Sequence, residues 1–352
     1  MQSIANMVAE LNEGYEFYIF CGNTDLHGLP INITVTNQWV RYNDYTQVWY
    51  AGRSERSQQL TAQVEQLKPD CRYIVGLFDW HFNLVPLFFA QAARKILSVR
   101  GMLHPGALGE KSLKKKVFLQ AMHWLDFQKK CSFHATDALE AEHIRQRLGK
   151  EVSIYEAGNF ARKINPLSLP FKEVGELRLI SIALISPMKN ILLVLQALEK
   201  MTAVVVYDIY GPVKEVGYWE LCLEQVRQLP ANITVRYHKE VSPLAVPEKL
   251  AHAQLCILPS KSENFGHSIY EALSAGLPVI TSKHTPWNGL EAAVAGVNSE
   301  ASVEALRVAI EFFAQMDNET FLKWNNGAAA YAERNMDVRE LKEAYGRMFS
   351  DF

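Results

Sequence analysis

The sequence predicts an α/β protein built from two doubly wound domains. The chain has 352 residues, and about 150 residues per domain gives two domains. Helical and strand patterns alternate along most of it, which favours parallel sheets with helices on their faces. The alternation lapses between residues 159 and 176, where the run from Asn165 to Pro170 contains two prolines. We therefore predict a first domain over residues 1–165 and a second over residues 172–335.

The first domain opens with a helix, because apolar residues recur at helical spacing at Ile4, Met7, Val8 and Leu11. A lysine-rich run later in this domain begins an amphipathic helix that extends to Leu125. The remaining predicted elements are strands at 15–20, 73–78 and 96–99, and helices at 61–67 and 86–96.

The second domain shows strands and helices in strict alternation. Because ligands bind outside the carboxyl ends of the strands in such a sheet, its functional residues are expected in the loops that follow the strands. The predicted strands are 177–185, 203–209, 233–237, 255–258 and 278–281, and the predicted helices are 191–201, 218–228, 247–253 and 268–275.

Charge and cysteine usage narrow the function classes. The chain carries 36 Lys and Arg against 38 Asp and Glu, a net charge of −2, which excludes binding to nucleic acid driven by overall charge. No two of the five cysteines are close enough in sequence for a C-x-x-C pair, which argues against a disulfide framework or a structural zinc site. The sequence shows no signal-peptide pattern, and polar residues interrupt its most apolar stretch. We expect a cytoplasmic protein.

Several familiar cofactor motifs are absent from the sequence. There is no G-x-G-x-x-G opening a helix and no G-x-x-x-x-G-K-[ST] loop. There is also no Asp-x-Asp pair, which is the usual means of holding a nucleotide-sugar through a divalent metal. We expect chemistry without a metal and without a bound cofactor.

The most informative segment is residues 259–280, PSKSENFGHSIYEALSAGLPVI. A polar loop follows a strand, a helix starts near Ser268, and Gly276 ends it in the left-handed conformation. Gly266 leaves the backbone uncovered before the helix, so N–H groups and the helix dipole would meet an anion such as a diphosphate. Glu263 in the loop and Glu271 in the first helical turn would face the same crevice.

A structural alternative exists for both glutamates. Ser268 and Glu271 have the spacing of a capping box, in which the glutamate only bonds back to the amide of the first residue. Ser260 and Glu263 have the same spacing.

This segment resembles the donor-binding motif of retaining glycosyltransferases of family 4, which have the GT-B fold. The stretch from Ser98 to Leu108 resembles the PRG-x-x-x-PGAL motif of one branch of that family, including the lysine-rich helix after it. Other segments match in order and spacing, so the resemblance covers nearly the whole chain. They are His134–Thr136 with Glu140, Ser186–Asn190, Tyr210–Pro212, Tyr218–Trp219 and Thr285–Trp287.

The resemblance implies two Rossmann-like domains facing a cleft, with the C-terminal helix 338–352 packing back on the first domain. Glu271 would accept hydrogen bonds from ribose, Glu263 would hold the donor sugar, and Lys189 would neutralise the leaving phosphate as a catalytic group. The loop and first helical turn would line the sugar and diphosphate. These residues are Asn264, Phe265, Gly266, His267 and Ser268.

Three departures from the family pattern affect these expectations. Leu184 stands where relatives carry an arginine, which predicts weakened activity. Lys239 stands where relatives carry a glycine, so Lys239 and Val241 would contact the nucleotide in an altered way. The chain also begins at what resembles the second element of the family, so the first domain is expected to lack its first strand and the glycine-rich loop after it.

The sequence gives a weaker indication of the acceptor-binding residues than of the donor-binding ones. Arg100 and His104 follow a predicted strand and could contact the acceptor, although His104 could equally be a solvated loop residue. The basic run Lys114–Lys116 could give weak peripheral contact with an anionic membrane, or it could be a solvated helix face.

The function implied is a retaining, metal-independent hexosyltransferase. It would move a sugar from a UDP- or GDP-sugar to a glycan or lipid-linked acceptor in surface polysaccharide biosynthesis, at the inner face of the membrane. The alternative is a degenerate homologue that binds nucleotide or glycan without turnover. Intact Lys189, Glu263 and Glu271 favour the enzyme, and Leu184 and the expected lack of the opening loop favour the alternative.

Overall fold

The computed structural model of the chain describes residues 2–25, 28–31, 35–54, 56–88, 94–104 and 112–350. Within these ranges no helix is both long enough and apolar enough to cross a membrane. The chain divides into two compact units. The first comprises Met1–Phe160 and Val338–Phe352, and the second comprises Ala161–Asp337.

The boundary lies slightly before the predicted one, because residues 161–169 are bonded to the second unit. The Ile164 N–H donates to the Ser274 hydroxyl at 3.1 Å, and the Leu167 N–H donates to the Ala275 carbonyl at 2.9 Å. The segment that contains the two prolines therefore belongs to the second unit.

The first unit contains two sheets. The described strands are β1 (Phe17–Gly22), β2 (Trp39–Asn43), β3 (Thr46–Ala51), β4 (Cys71–Val75), β5 (Arg94–Ser98), β6 (Ser132–Ala135) and β7 (Ile154–Glu156). One sheet has the order β1-β3-β2 and the other, which is parallel throughout, has the order β4-β5-β6-β7. β1 and β4 are each at the edge of their sheet as described.

The first unit also contains helices. They are α1 (Gln2–Glu10), α2 (Arg56–Leu67), α3 (Val85–Phe88), α4 (Ser112–Trp124), α5 (Ala138–Leu148) and, at the end of the chain, α12 (Val338–Ser350), together with a π-helix at Trp80–Leu84. A buried cluster joins α1 through Met7 and Val8 to α12 through Tyr345 and Met348. The C-terminal helix is therefore part of the first unit.

The second unit contains one six-stranded parallel sheet. Its strands are β8 (Glu176–Ile182), β9 (Val204–Tyr210), β10 (Ile233–Tyr237), β11 (Leu255–Leu258), β12 (Val279–Ser282) and β13 (Gly296–Ser299). The order is β10-β9-β8-β11-β12-β13, which is that of a doubly wound fold with its switch point between β8 and β11. All four residues of β11 are buried, as expected for a strand covered on both faces.

Helices cover both faces of this sheet and bury two apolar clusters against it. They are α6 (Ile191–Leu198), α7 (Val216–Val226), α8 (Val246–Leu250), α9 (His267–Ser274), α10 (Val303–Ala314) and α11 (Asn318–Arg334). The predicted fold class, with two Rossmann-like domains, is confirmed.

The sequence prediction was less accurate in the first unit. The predicted helix 86–96 is wrong at its end, because β5 begins at Arg94. The hairpin of β2 and β3 and the strands β6 and β7 were not predicted. β2 and β7 are only partly buried, and β6 and β7 have four and three residues, so these strands give little periodicity to read.

Candidate functional site

The loops after β8 and β11 meet at the switch point of the six-stranded sheet. Lys189 lies in the loop between β8 and α6, and Glu263 lies in the loop between β11 and α9. The Lys261 N–H donates to the Met188 carbonyl at 2.8 Å, which joins the two loops directly. The topology therefore brings together residues that are more than seventy positions apart in sequence.

Lys189 and Glu263 form an ion pair in this place. The Lys189 ammonium donates to Glu263 Oε1, and the two side chains are 21% and 10% exposed. The hydroxyl of Ser260, which is fully buried, donates to the same oxygen at 2.7 Å. The site thus presents a half-buried cation held by Glu263, whose carboxylate is in turn held by the Ser260 hydroxyl.

The start of α9 lies next to this pair in the chain. Gly266 is the N-cap residue and has φ +76°. A Cβ at Gly266 would lie 3.0 Å from Ile269 Cδ1 and 3.4 Å from the Trp287 indole nitrogen. The first N–H groups of a helix have no partner within it, so they and the helix dipole favour an anion here.

The other end of α9 is fixed by a Schellman motif. The Gly276 N–H donates to the Leu273 carbonyl at 3.0 Å, and the Leu277 N–H donates to the Ala272 carbonyl at 2.9 Å. Gly276 has φ +85°, so the predicted left-handed cap is confirmed.

Both capping-box alternatives are wrong. Because α9 begins at His267 with Gly266 as its N-cap, Ser268 is the second helical residue and Glu271 the fifth. Glu271 therefore lies in the second turn and not, as predicted, in the first. The Ser260 hydroxyl bonds to the Glu263 side chain within a loop, where no helix begins.

Glu271 is only 2% exposed and faces a cation that the sequence did not indicate. Arg162 Nη2 lies 3.0 Å from Glu271 Oε1. Arg162 also donates to the Pro243 carbonyl, and its side chain is 27% exposed. Burial, together with the charge of Glu271, raises the pKa of the Cys256 thiol to about 12. No motif surrounds Arg162, so sequence patterns gave no signal for this pair.

The remaining predicted loop residues surround the start of α9. Asn264 is exposed, and Ser268 and His267 are half-buried. The Phe265 ring lies 4.8 Å from the His267 ring and 5.2 Å from the Trp287 ring, measured between ring centroids. The Trp287 indole donates to the Phe265 carbonyl, so this aromatic group fixes the backbone before the helix.

Lys239 and Val241 lie beyond the carboxyl end of β10. Lys239 has φ +58°, a left-handed conformation that favours glycine, which explains why a glycine suits this position. The Gly211 N–H donates to the Lys239 carbonyl at 2.6 Å. A Cβ on Gly211 would lie 1.8 Å from the Ala183 carbonyl oxygen. Leu184, next to Ala183, is half-buried and brings no charge to this loop.

Arg100 and His104, the two acceptor-side candidates, lie in the first unit, and each contacts its own set of residues. Arg100 Nη2 donates to the Tyr73 hydroxyl at 2.9 Å, and Nη1 donates to Asn159 Oδ1. The His104 ring packs edge-on against the ring of His143, with centroids 5.1 Å apart. The end of the motif that suggested these residues, positions 105–108, lies outside the described residues.

The Tyr73 hydroxyl also lies 2.6 Å from Nδ1 of the buried His134. Nε2 of His134 lies 2.7 Å from the Ala157 carbonyl. Burial lowers the pKa of His134 to about 4. A neutral imidazole with its proton on Nε2 satisfies both contacts, since Nδ1 then accepts from Tyr73.

Across the part of the chain that the structure describes, no three His, Cys, Asp or Glu side chains come close enough together to hold a metal ion.

Part of the chain matches a known protein family. Residues 170–318 match the family model of glycosyl transferases group 1. No curated protein sequence matches the chain significantly.

Solved structures match over nearly the whole chain. Sucrose-phosphate synthase from Thermosynechococcus elongatus superposes with a TM-score of 0.72 at 14% identity, covering 99% of this chain and 90% of the other. HepE from Anabaena, in complex with UDP and glucose, gives 0.69 at 16% identity, covering 96% and 100%. WaaG, a glycosyltransferase involved in lipopolysaccharide biosynthesis, gives 0.63 at 13% identity, covering 99% and 95%.

These identities are low enough that the structural matches establish the fold alone, whereas the family match concerns the second unit, where the candidate site lies. The chain therefore has the GT-B glycosyltransferase fold, and its second unit carries the sequence pattern of group 1 glycosyl transferases.

Proposed function

We propose that the protein is a retaining, metal-independent hexosyltransferase that takes a sugar from a nucleotide-sugar. The observation that carries this proposal is the Lys189–Glu263 pair beside the start of α9, at the switch point of a 3-2-1-4-5-6 sheet. This is where a doubly wound sheet binds its ligand. The match of residues 170–318 to group 1 glycosyl transferases supports it.

The donor would bind along the loops of the second unit. Backbone N–H groups from Asn264 to Ser268 would receive the diphosphate, because they combine open donors with the positive end of the α9 dipole. Glu271 would accept hydrogen bonds from the ribose hydroxyls. Lys239 and Val241 would flank the nucleotide from the end of β10.

Lys189 and Glu263 would carry the chemistry. The hydroxyl groups of the bound sugar would hydrogen-bond to Glu263. The Lys189 ammonium would then be released from Glu263 and would face the leaving phosphate. The departing phosphate oxygen would take the acceptor proton on the same face of the sugar, which gives retention. The protein then acts mainly by stabilising charge that develops on the leaving group.

The acceptor is proposed to be a glycan or a lipid-linked sugar in surface polysaccharide biosynthesis, with Arg100 and His104 on its side. WaaG acts in lipopolysaccharide biosynthesis and HepE binds UDP and glucose, which supports a UDP-linked donor and this class of acceptor. We place the protein in the cytoplasm at the inner face of the membrane. The Trp124 side chain is 86% exposed at the end of α4, which supports weak peripheral contact.

The absence of an Asp-x-Asp pair supports independence from a metal. One observation favours a second candidate, a homologue that binds nucleotide without turnover. Leu184 supplies no charge near the proposed phosphate position, and a missing charge partner at a developing anion costs about 10²–10³ in rate.

Nucleotide release from a panel of UDP- and GDP-sugars, measured in EDTA, separates the two candidates. We expect release above background, and a loss of about 10²–10³ in Lys189→Ala, because the ammonium stabilises the leaving group. Lys283→Ala is the matched control, since Lys283 forms an exposed pair with Glu300, at 2.6 Å. Binding of nucleotide without release would support the non-catalytic homologue, and dependence on added metal would contradict the proposed chemistry.

A further inference from the structure

A cavity lies in the first unit, at the amino ends of β5 and β6. Its volume is about 580 Å³, within the range of small-molecule sites. Arg100 and His104 follow the opposite, carboxyl end of β5, so this cavity is distinct from the proposed acceptor residues. The residues that line it come from the start of β5, the turn before β6 and the loop between α5 and β7, and include Arg94, Lys95, Gln128, Lys129, Lys130 and Lys150.

The cavity is strongly basic although the chain as a whole is not. Five lining residues are Lys or Arg and one, Glu151, is acidic, in a chain of net charge −2. Among the lining cations that the structure describes, only Lys129 has a carboxylate partner, Asp126 at 3.0 Å. The uncompensated charge is thus concentrated in one concave surface, which favours an anionic ligand.

Two of the lining cations are held in place by contacts that do not neutralise them. The Arg94 guanidinium stacks over the Tyr155 ring, 5.0 Å from its centroid. The Lys95 ammonium donates to the Leu87 carbonyl at 2.7 Å, and burial lowers its pKa. These cations are therefore positioned before any ligand arrives, as expected of a prepared site.

Two buried polar atoms of the cavity have no hydrogen-bond partner among the described residues. They are the donor Arg94 Nη1 and the acceptor Gln128 Oε1. Buried polar groups are nearly always satisfied, and an unsatisfied one requires an explanation. An oxygen anion would satisfy Arg94 Nη1, but only a hydrogen-bond donor such as a hydroxyl would satisfy Gln128 Oε1.

From these observations we propose that the cavity binds a phosphate ester that carries free hydroxyl groups. A phosphate offers several oxygens to cations on different sides of the cavity, and a hydroxyl on the esterified group would donate to Gln128. Two sources share this chemistry, namely a soluble sugar phosphate and a phospholipid headgroup such as phosphatidylinositol. The site does not depend on the proposed transferase activity.

The test is calorimetric titration of the full chain with glucose 6-phosphate, and sedimentation with vesicles of phosphatidylcholine alone or mixed with phosphatidylinositol. Binding of glucose 6-phosphate identifies the soluble source, and retention only on phosphatidylinositol vesicles identifies the lipid source; either supports the proposal.

Variants locate the binding. We expect Lys150→Gln and Gln128→Leu each to weaken binding about tenfold, because each removes one charge or one hydrogen bond. Lys150 is exposed in a loop, so its substitution leaves the fold intact. Lys68→Gln, which alters an exposed lysine of the same unit outside the cavity, is the matched control. Absence of binding to both probes, or equal binding by all variants, would overturn the proposal.

Discussion

The pair of Arg162 and Glu271 gives a quantitative prediction for the second unit. Their charged atoms are 3.0 Å apart, so at an effective dielectric constant of about 20 the attraction is about 5 kcal/mol. Removal of one partner from a buried pair costs about 3–5 kcal/mol. Because Arg162 is 27% exposed and water compensates part of the loss, we expect Arg162→Gln to lower the free energy of unfolding by about 3 kcal/mol.

The assay is urea unfolding followed by tryptophan fluorescence, applied to Arg162→Gln, Glu271→Gln and the double variant. The double variant should lose less than the sum of the single losses, by about 1–2 kcal/mol, because the charges are in contact. Lys163→Gln is the control, since Lys163 forms an exposed pair with Glu333 at 3.4 Å and should change stability by less than about 1 kcal/mol. Strict additivity, or equal effects of Arg162→Gln and Lys163→Gln, would show that Arg162 and Glu271 are not a coupled buried pair.

Four further outcomes are expected. Gly211→Ala should prevent folding of the second unit, seen as loss of its thermal transition, because the new Cβ would lie 1.8 Å from the Ala183 carbonyl oxygen; a normal transition would contradict this. Lys239→Gly should raise the free energy of unfolding by up to about 1 kcal/mol, because φ +58° strains a lysine, and a destabilised variant in urea unfolding would count against it. Leu184→Arg should raise kcat for donor hydrolysis about tenfold if the arginine adds a charge at the proposed phosphate position, whereas an unchanged kcat would count against that position of the phosphate. Burial lowers the pKa of His134 from 6.5 to about 4. As the pH falls, His134 therefore takes up a proton near pH 6.5 in the unfolded chain but only near pH 4 in the folded chain. Stability should therefore fall by about 3 kcal/mol as pH drops through this window, and His134→Asn should remove that dependence; an unaltered pH profile in the variant would disprove the assignment.

β10 and β11 of the second unit have the predicted bounds. β11 (LCIL) is a continuous apolar run that is fully buried, and β10 (ITVRY) alternates exposed residues with buried or half-buried ones, so both patterns are readable from sequence. The first unit was harder because β2 and β7 are only partly buried and β6 and β7 are very short. Their pairing depends on residues far away in sequence, which local periodicity does not report.

The candidate site, too, was predicted only in part. Glu263 and Lys189 were predicted together, and the fold brings them into contact because both follow strands at the switch point. The partner of Glu271 was missed, since Arg162 lies near the start of the second unit, where no spacing rule links it to α9. Long-range ion pairs of this kind depend on the tertiary fold and leave no local pattern.

The most direct test of the proposed donor site is a crystal structure of the chain soaked with UDP in the presence of EDTA. We expect the diphosphate within hydrogen-bond distance of the Lys189 ammonium and of the N–H groups that open α9, with the ribose at Glu271. A diphosphate bound elsewhere, or a site that stays empty at millimolar UDP, would contradict it.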